Sequence, residues 1–203
     1  MNHYTRAEYI SGLDWADYDD VLQRVNLDDT NLQLAKNYER VMLWFEHDSH
    51  DILVLAKILS VFSDPVFRPA NLQFICVTGF PGVDIFNGIG QLPPQALRML
   101  WQQFQPITHE QLKLGKRTWE GITSPTPELL QSLIDTQTLE LPPFTPALCR
   151  HLQQLPSVHN GLNLTEELSL KIIQEKGAMN AARLFGWYTN HYEPLTFMGD
   201  SGY

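Results

Sequence analysis

The chain has 203 residues, 43% of them hydrophobic and 11% aromatic, which is enough apolar surface for a packed core and too much for global disorder. Twenty-three acidic residues against 14 basic ones give a formal charge of −9. That balance argues against a broad nucleic-acid footprint and against a polybasic membrane anchor, since both need clustered Lys and Arg.

Acidity concentrates at the start: residues 1–70 hold 12 acids and 6 bases, and "DWADYDD" (14–20) reads as a solvated helix face. The opening "MNHYTRAEYI" has no apolar signal-peptide core, and no stretch reaches the roughly 18 apolar residues of a membrane span. The expectation is a cytoplasmic protein. Two cysteines, Cys76 and Cys149, cannot form a disulfide framework, and no Cys-x-x-Cys or Cys-His spacing points to structural zinc.

In chain order, Asn2 to Ser11 reads as a short helix closed by Gly12. From Asp17 to Lys36 the positions Val21, Leu22, Val25, Leu32 and Ala35 recur at helical spacing, with a break expected near Leu27 to Asp29. "VMLWF" (41–45) is continuously apolar and predicts a strand buried on both faces, the habit of parallel sheets. "HDILVLAKILSVF" aligns Ile52, Leu55, Leu59 and Phe62 on one helical face. "LQFICV" (72–77) predicts a second strand, so strand, helix and strand make one right-handed crossover unit. The loop "TGFPGVDIFNGIGQL" (78–92) follows, and beyond it the chain reads as helices. Pro93 and Pro94 suit a first turn, "THEQ" is a capping box, and Gly177 suits a helix stop.

The predicted fold class is α/β followed by an all-helical half: a short parallel βαβ sheet in residues 1–92 and a helical region in 93–203. Two parallel strands are too few for a stable open sheet. "TLEL" (138–141) offers one further short edge strand, and the alternative is that strands come from another polypeptide.

"FEHDSHD" (45–51) sits between the first strand and the helix after it. Ligands of open parallel sheets bind beyond the carboxyl ends of the strands, which makes Glu46, His47, Asp48 and Asp51 the candidate catalytic residues. Asp51 follows His47 by four residues, so both would share a helix face if the helix has begun by then. Carboxylates beside an imidazole could ligate a divalent metal or exchange protons near neutral pH. Gly88, Gly90 and Gln91 of the glycine-rich loop are the candidate ligand-binding residues at the same edge. That loop is neither a phosphate-binding loop nor a dinucleotide fingerprint, and no nucleophile elbow occurs in the chain. The same residues also have a purely structural reading: Asp48 or Ser49 as helix N-cap, Glu46 paired with Arg40, and His47 bonded within a turn.

"LWFEHDSHDILVL", "FPGVDIFNGIGQL", "FMGD", "PITHEQLKLGKRTWEGITSPTPELLQSLI" and "LPPFTPALCRHLQQLPSVHNGLNLTE" together resemble a bacterial family known only as a domain of unknown function (DUF1835-like), over roughly Arg6 to Asp200. The resemblance implies an α/β half followed by a helical half, and no reaction. Glu46, His47, Asp48 and Asp51 match the family's motif after the strand, Gly88, Gly90, Gln91 and Leu92 match its loop, and Met198, Gly199 and Asp200 match its late motif. Members begin with an additional strand-bearing segment containing a Gly-Asp element and continue past the Met-Gly-Asp with an aromatic helix. This sequence has neither, which would account for missing strands and leave half of the site's mouth incomplete.

Residues 143–203 have the size of a helix-turn-helix-like unit. The helix that would enter a groove, Asn180 to His191, carries one cation, Arg183, and the segment is net −1, so a protein partner suits it better than DNA. Three readings follow. One is a protein, enzymatic or not, that binds a small molecule or metal at the polar edge. The second is a regulatory module docking through its helical half. The third is a truncated family member that works by binding alone.

Overall fold

The structure is a computed structural model that describes residues 3–13, 15–84, 86, 88–199 and 202–203. Asn2, Asp14, Ile85, Asn87 and Asp200 of the segments above lie outside the described residues. Two antiparallel helices, α1 (His3–Ser11) and α2 (Tyr18–Leu34), precede the strand β1 (Val41–Glu46). Helix α2 is continuous where a break near Leu27 was expected; Val21 and Val25 bury against Ala7 of α1 on its single apolar stripe. The helix α3 (Ser49–Phe62) crosses from β1 to β2 (Leu72–Val77), which pairs with β1 in parallel from Val41↔Leu72 to Glu46↔Val77. The predicted crossover unit is present, as is the α/β half followed by a helical half.

The third strand is not "TLEL". Residues 138–141 form a turn in which the Thr138 hydroxyl donates to Leu141 O, and Leu139 is exposed. The sheet is completed instead by β3 (Gln105–Pro106), antiparallel to β2, in the order β1-β2-β3. Proline has no N–H for a ladder, so Pro106 suits only a short outer strand.

Helices clothe both faces unequally. Leu43 and Phe45 of β1 face α3, whose Ile52, Leu55, Ala56, Leu59 and Phe62 are at most 1% exposed. Helices α5 (His109–Ile122), α6 (Glu128–Asp135) and α7 (Phe144–Leu152) close the same core with Leu112, Leu130, Leu133, Phe144 and Leu148. One core cluster therefore draws on residues before and after position 92. The opposite face carries α4 (Pro94–Leu100) and a smaller cluster of Ile75, Val77, Leu92, Ala96 and Leu100. Trp44 is only half-buried there, so β1 is not buried on both faces as its unbroken apolar run suggested.

The predicted capping signals hold. Thr108 and Gln111 form both halves of a capping box on α5, and Gly177 ends α8 (Leu164–Lys176) at φ +82°. Helix α9 (Ala181–Trp187) continues as a π-helical turn over Tyr188–Tyr192.

A buried ion pair organises these last helices. Arg150 on α7 grips Glu193 with two bonds, Nε to Oε1 at 2.7 Å and Nη2 to Oε2 at 2.8 Å. Its Nη2 also reaches Thr165 Oγ1 at 2.9 Å and Tyr188 Oη at 3.1 Å, and its guanidinium lies over Phe197. The Tyr188 hydroxyl donates to the same carboxylate. Burial, with that donated bond, pushes its pKa up to about 12. Both charged side chains are at most 2% exposed, so each depends on the other for its solvation.

Two outcomes follow from this packing. Gly115 of α5 touches α3 so closely that a Cβ would stand 2.2 Å from Leu59 Cβ. Gly115→Ala is expected to cost about 1–3 kcal/mol in urea unfolding although alanine is the better helix former. Glu193→Gln, which strands the Arg150 charge, is expected to cost about 3–5 kcal/mol. An Arg150→Met, Glu193→Leu double variant should recover most of that loss in the same assay.

Candidate functional site

The polar joint is built from the end of β1. Asp48, extended at φ −68° and ψ 163°, is the N-cap of α3 and accepts from Asp51 N at 2.9 Å. The Asp51 carboxylate turns backward and accepts from Glu46 N at 2.7 Å. The Glu46 carboxylate accepts from Ile89 N at 2.9 Å, fastening the glycine-rich loop to the strand end. At Gly88, φ +151°, a Cβ would lie 2.3 Å from Glu46 Oε2, so this position needs glycine both for its backbone and for the carboxylate beside it. Gly90 is exposed with open space around it, and Gln91 donates its backbone N–H to Gly88 O at 3.2 Å.

The structure thus brings Glu46, Asp48 and Asp51 together and leaves His47 aside. The helix starts at Ser49, after the Asp48 cap, so His47 precedes it and shares no helical face with Asp51. Its ring stacks on Phe86 at 6.1 Å, and its buried Nδ1 has no partner among the described residues. His50 is exposed. No group of three or more His, Cys, Asp and Glu side chains among the described residues could hold a metal ion. Glu46 does not pair with Arg40: Arg40 precedes the six-residue strand that Glu46 ends, and about 20 Å of extended chain separates them.

Electrostatics follow from this crowding. Burial, opposed by the Ile89 bond and reinforced by Asp51 and Asp48, raises the Glu46 pKa above the usual carboxylate range. Burial raises that of Asp48 as well, despite its bond from Asp51. Burial and the three nearby carboxylates push the Cys76 thiol up to about 12, so it stays protonated and donates to Glu46 O at 3.2 Å. A thiol so held is no nucleophile at neutral pH.

An apolar opening lies next to Ile89, the residue that Glu46 holds. A cavity of about 520 Å³ is lined by Trp44, Ile89, Leu97, Arg98, Trp101 and Gln102. Trp44 packs against Trp101 at 6.3 Å and edge-on to Phe104 at 5.3 Å. Arg98, exposed at its rim, makes no ion pair among the described residues. Of the predicted site residues none lines this cavity, but Glu46 and Gly88 hold the loop that supplies Ile89 to its wall. The sequence signal for the missed residues was the apolar spacing of "ALRMLWQQF", which reads equally well as core.

Comparison of the chain with protein-family models, curated proteins and solved structures finds no match.

The raised carboxylates set a pH dependence. The native state keeps these protons after the unfolded chain has lost them, so the stability they contribute is present below the ordinary carboxylate pKa. It is lost as pH climbs through the raised native values. Glu46→Gln keeps an acceptor for Ile89 and has no charge to bury. Its melting temperature is expected to gain on the native chain as pH rises above the ordinary carboxylate pKa of about 4; a gap that stays constant contradicts the assignment.

Proposed function

We propose that this chain, as a member of the bacterial family its motifs resemble, is a cytoplasmic small-ligand-binding protein. Its ligand sits against the carboxyl half of β1, between Trp44 and α4. The observation that carries this reading is the cavity of about 520 Å³, within the range that encloses cofactor- and drug-sized molecules. Two indole rings, Ile89 and Leu97 suit a flat apolar body, and the unpaired Arg98 with Gln102 at the rim suits a carboxylate or similar anion on it.

The acidic joint then serves as the anchor of the pocket wall. Glu46 fixes Ile89, and Asp51 and Asp48 fix the strand end and the start of α3. The absence of a metal-binding cluster among the described residues favours this role over a metal centre at the same place. No described helix is long and apolar enough to cross a membrane.

The test is a thermal-shift panel of aromatic carboxylates, nucleotides and divalent cations on the native chain, Arg98→Ala, Trp101→Ala and Asp51→Asn. A bound anion at ~100 times its dissociation constant adds roughly 2.7 kcal/mol, or about 5–10 °C for a chain of this size. The expected result is a shift with aromatic anions that Arg98→Ala and Trp101→Ala abolish. A shift with divalent cations alone, lost in Asp51→Asn, would move the site to the carboxylates and overturn this reading.

A further inference from the structure

β1 is the outer strand of the sheet, and no further strand pairs with it among the described residues. Val41 donates its N–H to Asn71 O at 2.9 Å, which fixes the parity of the parallel ladder. Odd-numbered residues of β1 face β2, so the N–H and C=O of Met42 and Trp44 point away from the sheet. No backbone N–H partner for either is present among the described residues. The next outward donor, Glu46 N, is already taken by Asp51, so two rungs are free. Edge strands are ordinarily blunted by Lys, Pro or a bulge, and "VMLWFE" contains no Lys, Pro or Gly.

The two ends of the strand carry opposite, unpaired charge. Among the described residues, exposed Arg40 has no ion pair, and no Lys or Arg pairs with the carboxylates gathered at Glu46, Asp48 and Asp51. About 20 Å of strand keeps them apart within one chain.

We propose that β1 pairs with β1 of a second copy, antiparallel about a two-fold axis at Leu43, to make one continuous six-stranded sheet. In this register Met42 lies opposite the second copy's Trp44, and four N–H···O bonds close both open rungs on each copy. Arg40 comes opposite the second copy's Glu46, so each end of the strand meets the charge it lacks. Moving the register by two residues one way pairs Arg40 with Trp44 and leaves the carboxylates unmatched. Moving it the other way sets Met42 against Glu46, whose N–H is already bonded. A one-residue slip turns the free rungs out of phase. The chosen register also lays the second copy's Met42 beside Trp44, on the face where Trp101 is 55% exposed. An isologous two-fold contact of this kind is the commonest way for a soluble chain to assemble. This pairing does not depend on the cavity having a ligand.

Sedimentation equilibrium and amide hydrogen exchange on the full chain test it. The expected native mass is twice the 23.3 kDa chain mass, with the Met42 and Trp44 amides protected alongside the β1–β2 ladder. Arg40→Glu, a surface change that places like charges opposite each other, should raise the dimer dissociation constant by at least about tenfold while leaving the circular dichroism unchanged. Met42→Pro removes only an outward donor and should give a folded monomer. If that variant fails to fold, Arg40→Glu decides. A native chain of 23.3 kDa with freely exchanging Met42 and Trp44 amides, or a dimer that Arg40→Glu leaves intact, overturns the proposal.

Discussion

The burial of α3 is the constraint on which the other elements depend. Ile52, Leu55 and Ala56 are fully inaccessible and Leu59 and Phe62 nearly so, because the sheet lies on one side of the helix and α5 and α7 lie on the other. A helix covered on both sides contributes apolar burial twice over, at roughly 25 cal/mol for each Å² withdrawn from water. It also demands close approach, which Gly115 allows by presenting no side chain to Leu59. A three-stranded sheet whose third strand has only two residues offers little stability of its own, and α3 is what joins it to the helical layer.

The polar joint at the start of α3 follows from the same burial. Where a strand ends and a buried helix begins, orphan N–H groups must be met without water. Asp48 meets the Asp51 N–H, Asp51 meets that of Glu46, and Ser49, itself buried, donates to Ala147 O at 3.2 Å to pin the helix start to α7. Burial first, and repulsion among the three carboxylates second, raise the pKa of Glu46 and Asp48, which is the cost of this joint. In return the loop 88–91 is held against the strand end, and with it one wall of the apolar cavity.

The C-terminal helices use a different device. Instead of a second large apolar core, Arg150 and Glu193 are buried face to face and surrounded by Thr165, Tyr188 and Phe197. The desolvation of two such charges offsets much of their attraction, whereas removing one partner strands the other in a water-poor site. Arg150 is buried, as are Phe144, Ala147 and Leu148 of the same helix, but it turns to Glu193, Thr165 and Tyr188 while they join the main core. Nothing in the sequence indicates that its partner lies 43 residues away.

The sequence by itself determined the local elements and their order. The unbroken "VMLWF", the helical spacing from Ile52 to Phe62, the Asp48, Thr108 and Gly177 end signals and the crossover from β1 to β2 are all set by short-range periodicity and capping, and these recur in the structure. It also marked Glu46 to Asp51 and Gly88 as one polar neighbourhood. Tertiary structure alone decided which side chains meet. It sent Glu46 to Ile89 and not to Arg40, left His47 against Phe86, and recruited Gln105 and Pro106 as the third strand. It also opened the cavity between Trp44 and α4. The physical reason is range: caps and hydrophobic period act within one or two turns of chain, whereas a carboxylate's partner and a pocket's walls are chosen by how separate faces pack once water is excluded.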